Sequence, residues 1–334
     1  MPLPFIVIGA SAIAGGTGLV AGVSGAKKIS EAKNRIKRAD EKYNEIRKEF
    51  DNLEQLTTSS LESLGEIKLN IWNDFEKFTN AFSKIKNRPT FEAQKEENLK
   101  IERSNLGEIK QVQITAVELL GTVTAAGGSG ALVGLATYGG VMSLGAASTG
   151  TAISSLSGVA ATNAALAALG GGSLAAGGGG IALGTQVLAG AVAGPIIAVS
   201  GLLINKKGSD SISESFLIQE KVDEAIKLMD ESSIKLKKLK KLSMQLILDL
   251  KNFYHQYLVH VKQLENIVNV KNDYETFTLE EKRILDVNIK IVTILYNITT
   301  HNLLEESQDG AQKVLEKEIA QVLKDSKELL EKVS

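Results

Sequence analysis

The stretch from Leu119 to Asn205, 87 residues long, contains no Asp, Glu, Lys, Arg or His. It lies between Glu118 and Lys206, and the chain outside it is dense in lysine and glutamate. Of the 31 glycines of the chain, 21 fall in this stretch and six more fall in residues 2–26, which are also uncharged. Charges this segregated predict a small-residue apolar segment carried by charged helical arms, rather than one evenly mixed globule.

The overall charge, the lack of cysteine and the first 26 residues narrow the class of protein. The net charge is −1 at pH 7 and cysteine is absent, which excludes disulfides and thiolate sites and gives no electrostatic bias toward nucleic acid. Residues 1–26 hold no Lys or Arg, so they lack the positive start of a signal peptide. The first cations, Lys27 and Lys28, follow the apolar stretch. This order favours the bacterial cytoplasm and inner membrane, with secretion as the alternative.

Residues 27–88 show helical periodicity. Apolar side chains recur every seven positions with charged residues between them, which predicts a long amphipathic helix with a coiled-coil seam. Pro89 ends the pattern, because proline lacks an amide proton and disfavours helix before it. Gly65 is predicted to be the weak point of this helix. The seam residues are Ile29, Ile36, Tyr43 and Phe50 and, after a shift, Leu64, Ile71, Phe78 and Ile85.

Residues 213–270 hold a second heptad pattern. One seam position is occupied by Val222, Met229, Leu236, Ser243, Leu250, Tyr257 and Leu264. A further helix is predicted from Thr278, because Glu281 three residues later completes a capping box, and a last helix is predicted after Gly310. The β-branched run VNIKIVTILYNIT, residues 287–299, leaves a strand as an alternative, although its apolar spacing favours a helix.

These patterns predict an all-α protein, an elongated coiled-coil-like helical bundle that carries a Gly/Ala-rich apolar hairpin. The arms on either side of the charge-free segment are expected to pair antiparallel, which requires an even number of bilayer crossings. A crossing takes about 20 apolar residues, so residues 120–146 and 177–204 fit two spans best, with four as the upper limit. The predicted parts are an apolar N-terminal helix at 1–26, a heptad arm at 27–118, the membrane hairpin at 119–205, and a C-terminal arm and bundle at 206–334.

Small residues in the apolar segments predict close helix packing in lipid. Glycines four apart lie on one helix face and let two backbones approach, whereas in water a glycine inside a helix costs about 1 kcal/mol relative to alanine. The GxxxG pairs are Gly18 with Gly22, Gly130 with Gly134, Gly180 with Gly184, and Gly190 with Gly194, and Pro195 is expected to kink the last span. The candidates to line a water-filled path are Ser154, Ser157, Thr162 and Asn163. A soluble Gly/Ala core and a flexible linker are the alternatives.

Motifs for catalysis are missing from the sequence. Three glycine clusters loosely match a phosphate-binding loop but lack the βαβ context that such a loop requires, and no GxxxxGK[ST] run occurs. The three histidines do not have the spacing of metal ligands. The lysine run at residues 234–242 alternates with seam leucines, which is typical of a solvated helix face and leaves lipid headgroup contact as an alternative. The chain is therefore predicted not to be an enzyme and to use no cofactor, metal or nucleic acid.

The stretch TGTAISSLSGVAATNAALAALGGGSLAAGGGGIALGTQVLAGAVAGP, residues 149–195, resembles a glycine-rich module of uncharacterised bacterial proteins. In those proteins a small-residue hairpin lies between coiled-coil arms. More loosely, the layout is similar to the α-helical pore-forming toxins of the cytolysin A and haemolysin BL type. That resemblance implies a hairpin that is folded away in a soluble form, is then released, inserts and oligomerises. This chain differs by its apolar N-terminus and its longer, glycine-richer hairpin.

The expected function is insertion into a bilayer and its permeabilisation after self-assembly, as a bacterial toxin or a cell-suicide and anti-phage defence effector. The expected partners are a lipid bilayer and further copies of the chain, or a hetero-complex with a partner protein. The alternative is a non-lytic coiled-coil membrane scaffold or a membrane-remodelling protein. The permeabilisation hypothesis predicts that membrane binding is accompanied by leakage, and the scaffold hypothesis predicts binding without leakage.

Overall fold

The computed structural model describes residues 23–88, 106–126, 129–138, 211–306 and 312–331. This part of the chain is almost entirely α-helical, as the sequence predicts. The α-helices are α1 (Val23–Lys84), α2 (Leu106–Ala126), α3 (Ser129–Tyr138), α4 (Ser211–Val270), α5 (Leu279–Thr300) and α6 (Glu316–Glu331). A single turn of 3-10 helix at Tyr274–Thr276 lies between α4 and α5, and two short strands, β1 (Leu304–Glu306) and β2 (Gln312–Val314), lie between α5 and α6.

Helix α1 runs for 62 residues, and Gly65, predicted to be its weak point, does not interrupt it. The helix ends at Lys84, a turn before the predicted end at Pro89. Asn87 has a φ of 51°, a left-handed conformation that asparagine tolerates better than most residues. The Arg88 guanidinium donates to the Ile85 carbonyl oxygen at 2.8 Å, which satisfies a carbonyl that the end of the helix leaves without an amide partner.

Most of the predicted heptad-seam residues of the two long helices are buried; Ile36 is only partly buried, and the side chain of Ile29 lies outside the described part of the chain. Every predicted residue of the first α4 seam position, from Val222 to Leu264, is buried, and most of these side chains are completely inaccessible. In α1 the same holds for Tyr43, Phe50 and the four residues of the shifted seam, Leu64, Ile71, Phe78 and Ile85. The seven-residue spacing therefore identified the buried face of each helix.

The chain divides into two compact units, residues 1–56 with 192–237 and residues 57–191 with 238–334. In the first unit, α1 and α4 share a small core that includes Tyr43, Phe50 and Met229. The Arg35 guanidinium lies 3.6 Å from the centre of the Phe216 ring, and the Lys42 ammonium pairs with the Asp223 carboxylate at 2.9 Å. Contacts that advance together along both helices mean that α1 and α4 run parallel in this unit.

The second unit holds the larger core, to which all six helices contribute. Here too α1 and α4 run parallel. The Ser60 and Ser243 hydroxyls lie 2.7 Å apart, the Tyr254 hydroxyl donates to the Asp74 carboxylate at 2.7 Å, and the Lys86 amide donates to the carbonyl of residue 272 at 2.7 Å.

The predicted antiparallel pairing of the two arms is therefore wrong for α1 and α4. Residues 27–118 are predicted to form one heptad arm. In the structure α1 stops at Lys84 and α2 is a separate helix that begins at Leu106. The charge-free segment follows α2 and not α1. The relative direction of α1 and α4 therefore does not determine whether the number of bilayer crossings is even.

The C-terminal part of the chain confirms one prediction and corrects another. Residues 279–300 are a helix rather than a strand, and its capping box forms as predicted, with the Thr278 side chain accepting from the Glu281 amide and the Glu281 carboxylate accepting from the Thr278 amide. The β1–β2 antiparallel pair was not predicted, because strands of three residues are too short for an alternating pattern to show. Val314, predicted to lie on the last helix, belongs to β2.

Candidate functional site

The backbone of α3 lies directly against α1 at Gly65. A methyl group on Gly65 would stand 2.6 Å from the carbonyl carbon of Leu132 and 2.9 Å from its Cα atom. Real side chains do not approach a backbone this closely, so only glycine fits at this position of α1. The residue expected to weaken the helix is therefore the point at which another helix makes its closest approach.

The C-terminal half of helix α3 is buried in the core of the second unit. Val133, Gly134, Leu135, Ala136 and Thr137 are five consecutive residues and all are buried. Since five residues cover more than one turn of an α-helix, no face of this part of α3 is left to solvent. These residues belong to the charge-free segment, whose beginning is thus packed into the core of a charged helical bundle.

The side chain of Lys68 ends at the C-terminus of α3. Lys68 lies one turn beyond Gly65 on α1 and is fully buried. Its ammonium donates to the Ala136 carbonyl oxygen at 3.0 Å and lies 3.5 Å from the His301 carbonyl oxygen. The last carbonyls of a helix have no amide partner and form the negative end of the helix dipole, so a buried cation is a suitable partner for them.

Burial of Lys68 lowers its pKa from 10.5 to about 7, because removal from water disfavours the charged ammonium. The two backbone carbonyls replace only part of the lost hydration. Lys68 is therefore a fully buried lysine whose charge state changes close to neutral pH.

The segment after α5 completes the surroundings of α3. The Leu303 amide donates to the Thr137 carbonyl oxygen at 2.8 Å, which satisfies a second terminal carbonyl of α3. Upstream, the Trp72 indole donates to the Thr299 hydroxyl at 2.7 Å and ties the end of α5 to α1. We call Gly65, Lys68, His301 and Leu303 the α3 seat.

Only some of the residues predicted to pack helices together lie at this site. Gly130 and Gly134 both lie in α3, and Gly134 is buried. The described part of the first predicted span, residues 120–146, belongs to two helices, the end of α2 and α3. The remaining predicted residues lie outside the described part of the chain: Gly18, Gly22, Gly180, Gly184, Gly190, Gly194, Pro195, Ser154, Ser157, Thr162 and Asn163.

The residues of the α3 seat were not identified from the sequence. One signal for Lys68 was present, because it lies four residues after Leu64 and three before Ile71, on the apolar face of α1. A lysine there, one turn from the single glycine in the middle of the helix, indicates a polar contact inside the core. His301 and Leu303 contribute backbone groups, which leave no signal in the side-chain pattern.

The described residues bring no set of metal-ligating side chains together at this site. Nowhere in them do three His, Cys, Asp or Glu side chains come together as metal ligands would. Within the same residues, none of the helices combines the length and the apolar character that crossing a bilayer requires. No protein-family model, curated protein or solved structure matches the chain.

Proposed function

We propose that the chain is a self-assembling α-helical protein that inserts its charge-free segment into a bilayer and permeabilises it. In this proposal it acts as a pore-forming toxin or as a bacterial cell-suicide effector, and the bilayer is the bacterial inner membrane. The α3 seat then has the role of storing the beginning of the segment until insertion.

One observation carries the proposal: Val133 to Thr137 of the charge-free segment are buried at a seat that contains an ionisable side chain. An apolar helix that is permanently part of a core needs no buried lysine, because a methionine of similar length would fill the same space without desolvating a charge. A seat with a desolvated Lys68 holds α3 less tightly than an apolar seat would. Weaker binding at the seat suits a segment that must leave the bundle in order to insert.

The cost of burying charged Lys68 and the gain from burying the apolar side chains of α3 are similar in size, as reversible binding of α3 requires. The difference between a pKa of 10.5 and one of about 7 corresponds to about 5 kcal/mol of lost stabilisation when Lys68 is charged in both states. Burial of Val133 and Leu135, at about 1.5–3 kcal/mol each, with smaller shares from Ala136 and the partly buried Leu132, supplies a similar amount. The free segment can then be stabilised by lipid and by its GxxxG contacts with other copies.

A reversible disulfide tests whether insertion requires α3 to leave its seat. With the Leu303 amide nitrogen 2.8 Å from the Thr137 carbonyl oxygen, backbone bond lengths keep the two Cα atoms within about 6.7 Å, a separation that a disulfide can span. The chain has no cysteine of its own, so Thr137→Cys with Leu303→Cys forms a single defined bond. We expect dye release from phosphatidylethanolamine–phosphatidylglycerol vesicles to stop on oxidation and to return on reduction.

The single variant Thr137→Cys is the control, since it carries the same substitution in α3 without a bond. Formation of the bond is checked by mass spectrometry. If the oxidised double variant leaks as fast as the reduced one, storage of α3 at the seat has no part in the function. If the wild-type protein binds these vesicles and releases no dye from them, the proposal of permeabilisation is wrong and a membrane scaffold is favoured.

A further inference from the structure

The exposed surface of α4 changes its charge character along the helix. In the first unit the exposed carboxylates of α4 are Glu220, Asp223, Glu224, Asp230 and Glu231. From Lys238 to Val270, within the second unit, none of the exposed residues of α4 is acidic. The two carboxylates of this stretch, Asp249 and Glu265, are both partly buried.

Exposed lysines and large apolar side chains share one face of this part of α4. At 100° per residue, Lys241, Met244, Leu248, Lys251, Val259 and Lys262 fall within an arc of about 80° and extend over about 30 Å. Leu248, in the middle, is 70% exposed, and Met244 and Val259 are 52% and 47% exposed. We call these six residues the cationic face of α4.

Carboxylates at the borders of the cationic face are already paired. Asp249 accepts from Lys327 of α6 at 2.8 Å, and Glu316, also on α6, pairs with Lys238 at 3.2 Å. On the other border, Asp74 of α1 accepts from Lys77 and from the Tyr254 hydroxyl, both at 2.7 Å. On α4 itself, Lys241 and Lys251 have no Asp or Glu three or four residues away, and Lys262 has one such neighbour, the partly buried Glu265.

We propose that the cationic face of α4 binds the surface of a bilayer that contains anionic lipids. Lysines at the edges of an exposed apolar stripe match such a surface, because the ammonium groups meet headgroup phosphates while the apolar side chains enter the boundary of the acyl region. A single-stranded nucleic acid would instead need aromatic side chains for base stacking. In this part of α4, Phe253 and Tyr257 are buried in the core, and the partly buried Tyr254 donates its hydroxyl proton to Asp74.

This inference deepens the proposed function and rests on it, since both take a bilayer as the partner. It adds the lipid class and the surface that makes first contact. Binding through the cationic face requires no movement of α3, so attachment and permeabilisation are separate events that can be measured separately.

Flotation with vesicles tests the inference on the full chain. The probes are phosphatidylcholine vesicles with and without phosphatidylglycerol, at low and at high salt. We expect binding only to the anionic vesicles and loss of binding in high salt. At about 1 kcal/mol per lysine near an anionic surface, replacing Lys241, Lys251 and Lys262 by Gln should weaken the affinity roughly a hundredfold.

The matched control replaces three exposed lysines on other helices, Lys84, Lys110 and Lys317, by Gln, which changes the net charge equally. This control should bind anionic vesicles like the wild type. Equal loss of affinity in both triple variants, or no loss in the α4 variant, would overturn the inference. So would a vesicle-free change in oligomeric state in the α4 variant, since the face would then be a contact between copies of the chain.

Dye release recorded on the same mixtures separates the two proposals. Wild-type binding that is lost in the α4 variant, without any leakage, supports the cationic face and contradicts permeabilisation. Leakage that is equal in the wild type and the α4 variant supports permeabilisation and contradicts the role of the cationic face.

Discussion

Replacement of Lys68 by methionine should change how the stability of the second unit depends on pH. Methionine has a similar length and no charge, so it fills the fully buried position of Lys68 without an ionisable group. The variant therefore removes the titration of Lys68 while keeping the volume of the α3 seat. Exposed Lys84 is the matched position for a control, Lys84→Met.

The sign and size of the effect follow from the pKa of Lys68. Burial lowers it from 10.5 to about 7, so between these values the unfolded chain holds a proton that the folded chain has released. Stability then rises with pH across this window and gains nothing from Lys68 below pH 7. From pH 7 to about pH 9 the wild type should gain on the order of 2 kcal/mol relative to Lys68→Met.

The single tryptophan of the chain provides the assay. Trp72 is fully buried in the second unit, one turn beyond Lys68 on α1, so its fluorescence follows urea unfolding of this unit. We compare the free energy of unfolding of the wild type and Lys68→Met at several pH values between 6 and 9, and titrations common to both proteins cancel in the difference. A difference that stays constant over this range, or that behaves like Lys84→Met, would refute the burial of Lys68 beneath α3.

Two further substitutions test the contacts of the same region. Gly65→Ala should destabilise the second unit by about 1–3 kcal/mol, because the new methyl group would clash with the Leu132 backbone. The control, Gly107→Ala at an exposed position, should be neutral or stabilising. If Gly65→Ala unfolds at a higher urea concentration than the wild type, the close approach of α3 to Gly65 is contradicted. Thr299→Val leaves the buried Trp72 indole without its acceptor, so we expect a loss of about 1–3 kcal/mol and altered tryptophan emission. The neighbouring Thr300→Val, which removes only a donor to the Tyr296 carbonyl, should leave the emission unchanged.

The buried faces of the helices could be predicted from sequence because they repeat. A seam residue such as Leu250 is one of many at a seven-residue spacing, and a periodic pattern remains legible even when single positions vary, as Ser243 does. The capping box at Thr278 and Glu281 could also be predicted, because its two hydrogen bonds join residues three positions apart. Both predictions depend only on local geometry.

The direction of α1 relative to α4 and the α3 seat could not be predicted in this way. Both depend on contacts between residues far apart in the chain, such as Lys68 with Ala136 and Trp72 with Thr299. The seat also uses backbone groups of His301 and Leu303, which any residue could supply. Periodicity identifies which face of a helix is buried, but it does not identify the helix that covers it.

Gly65 shows why small residues alone do not distinguish packing in water from packing in lipid. It lies on a charged helix, yet it permits the same close backbone approach to Leu132 that GxxxG pairs permit between helices in a bilayer. In the proposed mechanism one physical property, the absence of bulky side chains, would let the glycine-rich segment pack both against its own bundle and against other copies. What differs between the two settings is Lys68. Its ammonium is desolvated beneath α3; in the proposed mechanism it would regain water once α3 left, so this charge would oppose storage of a segment that has no charge of its own.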